Sequence, residues 1–185
     1  MPPLEVQPGQ PLPAAPSKLG GGKMVLIVLA VVAACGVPLL GVLAALSIYG
    51  VKKYVTNAKS AEATSYVQQL AAGVARCANE IDPATGQKRG LPASSPSVPS
   101  SLAAVRGAKY QSTPGEWSGA FTCAGFRVAG PQYFQYRWEQ QTDTRGLAIA
   151  VGDLDGDGSI DTTAEQPVVC TPGVCTAGAF SLTKP

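Results

Sequence analysis

The chain has 185 residues, a formal net charge of +2 and 14% charged residues. That is one modest domain with tails, and too few cations for a polybasic nucleic-acid surface. It contains no histidine, which excludes His-based acid–base catalysis, Ser-His and Cys-His nucleophile pairs and imidazole metal sites together.

Residues 1–23 hold six prolines and a Gly-Gly-Gly run and read as a disordered, Pro/Gly-rich cytoplasmic tail. From Met24 to Tyr49 no residue is charged and Val, Leu, Ile and Ala dominate. About 20 apolar residues span the hydrocarbon of a bilayer, so residues 24–50 are expected to form a transmembrane helix in which Gly36, Pro38 and Gly41 are tolerated. Two rivals exist. One is a buried core helix, which a domain this small could hardly enclose. The other is a cleaved signal, in which Lys18 and Lys23 form the basic region and Val32-Ala33-Ala34-Cys35 resembles a lipobox, with lipidation at Cys35. The apolar run continues past Cys35, which favours the uncleaved helix.

Residues 51–81 lack proline and are rich in Ala, Gln, Lys and Glu, so the helix is expected to continue into the globular domain. Tyr66, Leu70, Val74, Cys77 and Ile81 make a stripe suited to lying on a sheet. The helix should end before Asp82-Pro83, because the proline ring disfavours helix at the preceding residue. Residues 82–101 form a Pro/Ser-rich loop, and 102–185 a small antiparallel β domain. Its β-type runs are Ala120 to Val128, Gln132 to Gln140 and Gly146 to Val151, with another short strand within Val168 to Thr183. Trp117 and Trp138 are expected in the core rather than at an interface. The class is α+β.

Besides Cys35, four cysteines remain: Cys77, Cys123, Cys170 and Cys175. An even set in a small, loop-rich region implies two disulfides and an oxidising compartment. Of the three possible pairings, Cys170–Cys175 closes a short turn and Cys77–Cys123 ties the helix to the domain. A zinc site would call for CxxC pairs, and none occur. Lysines flank both ends of the apolar run (Lys18 and Lys23, then Lys52, Lys53 and Lys59), so charge alone does not orient it. The cysteines place the C-terminal domain outside the cytoplasm.

Asp153-Leu-Asp-Gly-Asp-Gly-Ser-Ile-Asp161 carries the chemistry. Carboxylates at alternate positions can converge on one cation, as in the first two thirds of an EF-hand loop. Asp153, Asp155, Asp157, Ser159 (through its carbonyl) and Asp161 are the expected ligands, and hard oxygen donors favour a structural Ca2+. Position twelve is Ala164, with Glu165 one residue late. An Asp/Gly-rich turn joining two strands without any ion is the alternative.

Gly41-Val-Leu-Ala-Ala-Leu-Ser-Ile48, followed by Lys52-Lys53-Tyr54 and Lys59-Ser-Ala-Glu-Ala63, resembles the N-terminal helix of type IV pilin-like proteins. Downstream, Tyr133 to Tyr136 and Ala150 to Gly158 resemble the sheet and Asp/Gly loop of such proteins of deltaproteobacterial type. The cleavage motif of prepilins is lacking: Gly20-Gly21-Gly22 precedes Lys23-Met24, and Val32 stands where a glutamate belongs. The resemblance implies a long N-terminal helix, one half transmembrane and one half amphipathic, packed on a small antiparallel sheet. It implies a single-pass protein of the bacterial inner membrane whose domain is periplasmic or on the cell surface, with a structural or assembly role and other pilin-like subunits as partners through that helix. The alternative is a tethered (or Cys35-lipidated), calcium-stabilised binding or accessory domain that never polymerises. No enzyme is expected, since Ser94, Ser95 and Ser97 sit in low-complexity sequence without a base.

Overall fold

The computed structural model of the protein describes residues 21–184. Helix α1 is assigned over Gly21–Asn79, and the chain divides into two compact units, Met1–Gly50 and Val51–Pro185. The tail at residues 1–20 and the side chain of Cys35 lie outside the described residues. In the first unit the described apolar side chains are largely exposed, among them Met24, Leu26, Leu29, Val32 and Leu46.

The membrane reading is corrected here. Among the described residues no helix is long and apolar enough to cross a membrane. A span needs about 20 consecutive apolar residues, and the stretch 53–79 is interrupted by charged and polar side chains. The single-pass inner-membrane placement, with its transmembrane half at 24–50, goes with it, as does the long membrane spine in the expected fold. What the helix does provide is residues 53–79, which carry Lys53, Lys59, Glu62 and Arg76 and build the globular unit.

There the class is α+β. Ala63, Val67, Leu70, Ala71, Val74 and Ala78 are all within 1% of full burial, the i, i+4, i+7, i+8 pattern of a helix face laid on a core. Tyr66 packs edge-on against Phe126 and Tyr136. The expected stripe is right at Leu70, Val74 and Cys77 but fails at Ile81, which is 65% exposed. The helix has ended at Asn79, so the helical period no longer aims that side chain inward.

The sheet has five antiparallel strands: β1 (Gln135–Thr142), β2 (Arg145–Gly152), β3 (Thr162–Thr171), β4 (Val174–Ala177) and β5 (Ser181–Thr183). They run in the order β1-β2-β3-β4, with β5 also pairing β3. In β2, Ala148 and Ala150 alternate with Ile149 and Val151, and all four are buried. The strand is therefore covered on both faces, which explains its continuous apolar run. Trp138 in β1 is fully buried and donates its indole N–H to Pro92 O at 2.9 Å. Trp117 is buried against Phe121 and Phe126. The free edge of β1 is covered by the Pro/Ser-rich segment, where Ser95 Oγ accepts from Trp138 N and Ser94 Oγ from Gln140 N. Those serines satisfy backbone.

One expected strand is a helix. Ala120–Ala124 forms α2 between Gly119 and Gly125, both at positive φ. Its buried residues, Ala120, Phe121 and Ala124, follow helical spacing, and Cys123 reaches α1 through a disulfide to Cys77. The second disulfide is Cys170–Cys175, between facing residues of β3 and β4. At the end of α1, the Asn79 side chain donates to Cys175 O at 2.8 Å and accepts from Cys175 N at 2.9 Å.

Candidate metal-binding loop and its surroundings

The loop between β2 and β3 is organised by its own carboxylates. Asp153, 1% exposed, accepts from Gly156 N at Oδ1 (2.7 Å) and from Gly158 N at Oδ2 (2.8 Å). Asp155 Oδ1 accepts from Asp157 N, and Asp157 Oδ1 from Ser159 N, the local turns that short Asp side chains favour. Asp161 closes the loop by accepting from Leu154 N (2.7 Å) and Asp155 N (3.2 Å) at Oδ2. Backbone N–H groups thus point inward at a ring of acids and offset part of their repulsion.

Of the five expected ligands, Asp153, Asp155 and Asp161 come together, with one carboxylate oxygen from each within 4.8 Å of the others. Asp157 is not in that group, and Ser159, expected to offer its backbone carbonyl, is exposed in the loop. Ala164 is fully buried in β3, and Glu165 pairs in register with Ile149 and Ser181, so neither supplies the bidentate closure of an EF-hand. Asp161 takes the closing position instead. Its Oδ1 is buried without a hydrogen-bond partner, an unfavourable state for a carboxylate oxygen unless a cation completes it. The donor set is all oxygen, which suits a hard divalent cation.

A positive residue far off in sequence completes the loop. Arg106 donates from Nε to Gly156 O at 3.0 Å and lies 3.7 Å from Asp153 Oδ2, while Gly107 N donates to Asp153 O at 2.7 Å. Gly158, at φ +97, leaves the space that the Arg106 guanidinium needs, since a Cβ would come 2.6 Å from its Nη2. Lys59 of α1 donates to Leu154 O at 3.1 Å, and its ammonium lies 4.6 Å from the centre of the Tyr133 ring. Nothing in the spacing of the acidic motif foretells these two cations.

Glu62, which in the sequence belongs only to the Lys59–Ala63 stretch of the helix, is a third residue whose role the sequence did not reveal. Its Oε1 accepts from Tyr133 N at 2.9 Å and from the Tyr136 hydroxyl at 3.1 Å, joining α1 to β1. Burial pushes its carboxyl above the ordinary value of 4.5, against the lowering pull of those hydrogen bonds and of Lys109. Burial, and then the Glu62 charge, hold the Tyr136 phenol well above its ordinary range. A raised folded-state value means the folded protein binds this proton more tightly than the unfolded chain. The stabilising effect is therefore complete below 4.5 and is lost as pH rises through the folded value. Glu62→Gln keeps an acceptor oxygen for both bonds and removes the titration. Its melting temperature should exceed the wild type's at pH 7, and the gap should close as pH falls toward 4.5. A gap that does not change with pH would refute the assignment.

Among the described residues no catalytic constellation accompanies these groups. Cys77, Cys123, Cys170 and Cys175 are all in disulfides. No protein-family model, curated protein or solved structure matches this chain.

Proposed function

We propose that this chain is a non-catalytic structural or assembly subunit, whose globular unit is braced by two disulfides and by a divalent cation, best Ca2+, in the loop Asp153–Asp161. The observation that carries the reading is the convergence of Asp153, Asp155 and Asp161, together with a buried Asp161 oxygen that has no hydrogen-bond partner. Support for a structural role comes from the helix-on-sheet packing of residues 63–78 and from the resemblance of Gly41–Ile48 and Lys59–Ala63 to a pilin helix. The absence of histidine from the whole chain supports a non-catalytic reading.

The cation is tested by melting the full chain with calcium and with chelator. At a hundredfold excess over its dissociation constant, a ligand that binds only the folded state adds about 2.7 kcal/mol. Asp155→Ala and Asp161→Asn should abolish that increment, each read against its own baseline in chelator because both carboxylates also accept loop N–H groups. Asp153 is a poor probe, because its carboxylate organises Gly156 and Gly158 whether or not an ion binds. An equal calcium increment in wild type and both variants would sink the metal site.

The alternative, a calcium-stabilised accessory domain that stays monomeric, differs in assembly. Sedimentation of the full chain over a range of concentrations separates the two. Growing oligomers support the subunit, and a single monomeric species at every concentration supports the accessory domain.

A further inference from the structure

Away from the loop, one cleft gathers charge of a single sign. It encloses about 350 Å3 between α1, at Gln69, Gly73 and Arg76, and the chain leaving α2, at Gly125, Phe126 and Arg127. Both charged residues lining it are arginines, and no carboxylate lines it. Neither arginine takes part in an ion pair among the described residues, where Arg106 and Arg137 have acidic partners. The cleft is a built feature of the fold. Gly73 lets α1 approach α2 so closely that a Cβ there would come 2.5 Å from Ala124 O. Arg76 is held at the wall, its Nη2 donating to Ala124 O at 2.9 Å beside Gly125. That bond engages one guanidinium donor of five. Phe126, 6% exposed, supplies an apolar flank.

We propose that this cleft binds a small oxyanion ligand, its carboxylate or phosphate group held by Arg76 and Arg127. The planar guanidinium fork matches both groups bidentately, and two forks without acidic partners attract an anion and repel cations. The volume lies at the lower end of the range for small-molecule sites, which fits a compact ligand rather than a polymer. Carboxylate and phosphate share this chemistry, and titration distinguishes them.

The full chain is titrated calorimetrically at low salt with inorganic phosphate and, separately, with succinate. Saturable binding of at least one is expected, with a dissociation constant of about 1 mM or tighter. Tighter phosphate binding assigns a phosphate ligand, tighter succinate binding a carboxylate ligand, and equal binding a general oxyanion site. Arg127→Ala should weaken binding about tenfold or more, as the loss of a charge-assisted hydrogen bond does. Arg127→Lys keeps the charge but loses the fork, so it should also bind more weakly than wild type. Arg137→Ala, outside the cleft, should bind as wild type. Arg127 is the primary probe because replacing Arg76 also removes its bond to Ala124. The proposal is overturned if neither anion binds, or if Arg127→Ala binds like Arg137→Ala.

Discussion

Replacing Cys77 and Cys123 together with alanine should lower the unfolding free energy by about 4 kcal/mol, measured by denaturant titration under oxidising conditions. In the chain-entropy account, a cross-link stabilises by restricting the unfolded ensemble, and its effect grows with the loop closed. Cys77 and Cys123 are 46 residues apart, whereas Cys170 and Cys175 are separated by 5. The same relation gives about 2 kcal/mol for the shorter link, so the C77A/C123A protein should be the less stable of the two double variants. Against a typical domain stability of about 5–15 kcal/mol, the longer link is a large share of the total. Equal losses from the two pairs would show that native-state packing around the cysteines, rather than chain entropy, sets the effect. The Cys77–Cys123 link also fastens α2 to the helix, so hydrogen exchange in residues 120–124 should accelerate when it is absent.

Trp138→Ala should cost about 3–5 kcal/mol, the range for deleting a buried aromatic ring. Trp138 is fully buried in the core, and its ring lies over Gly146 of the neighbouring strand so closely that any Cβ there would collide with it. Its indole N–H donates to Pro92 O, and its backbone N–H to Ser95 Oγ. Removing the ring opens a cavity that backbone on both strands cannot easily fill, and leaves the Pro92 carbonyl without its partner. Trp138→Phe should recover most of the packing and lose mainly that hydrogen bond, so its cost should be well below that of alanine. Thermal melts of the two variants test the order. A phenylalanine variant as unstable as the alanine one would make the Pro92 bond, rather than packing, the larger contribution.

The residues differ in how plainly they announce their roles. β2 and the buried face of α1 were legible because their apolar spacing is local and each element is shielded along its length. α2 was not. Ala120 to Val128 carries the β-leaning Phe121, Thr122, Phe126 and Val128, but Gly119 and Gly125 bracket its first turn, and the tie from Cys123 to Cys77 holds that turn against the helix. Tertiary context overrode propensity there. β3 was read far too late, since Thr162–Val168 looks polar until its alternate residues, Thr162, Ala164 and Val168, are seen to be buried. In the loop, the acids at positions one, three and nine were legible as a convergent set because alternate spacing is a local property. Arg106 and Lys59 were not, since only the fold brings charges 47 and 94 residues distant from Asp153 to its side. The role of Glu62 was not legible because nothing local reveals that Tyr133 and Tyr136 converge on it. The apolar run of 24–50 was read as a membrane span from its composition, and no helix of the described residues bears that out.

The bond pair between Asn79 and Cys175 has a consequence for solubility. Cys170 turns its N–H toward Thr144 O, so at the facing position β4 presents the Cys175 N–H and C=O away from the sheet. An outer strand with such groups free is a template on which another chain can add itself, the first step of ordered aggregation. Asn79 occupies both groups with one side-chain amide, much as a neighbouring strand would, but it cannot extend into a ladder. The last residue of the helix therefore works as a stopper at the sheet margin, guarding the globular unit against runaway strand addition.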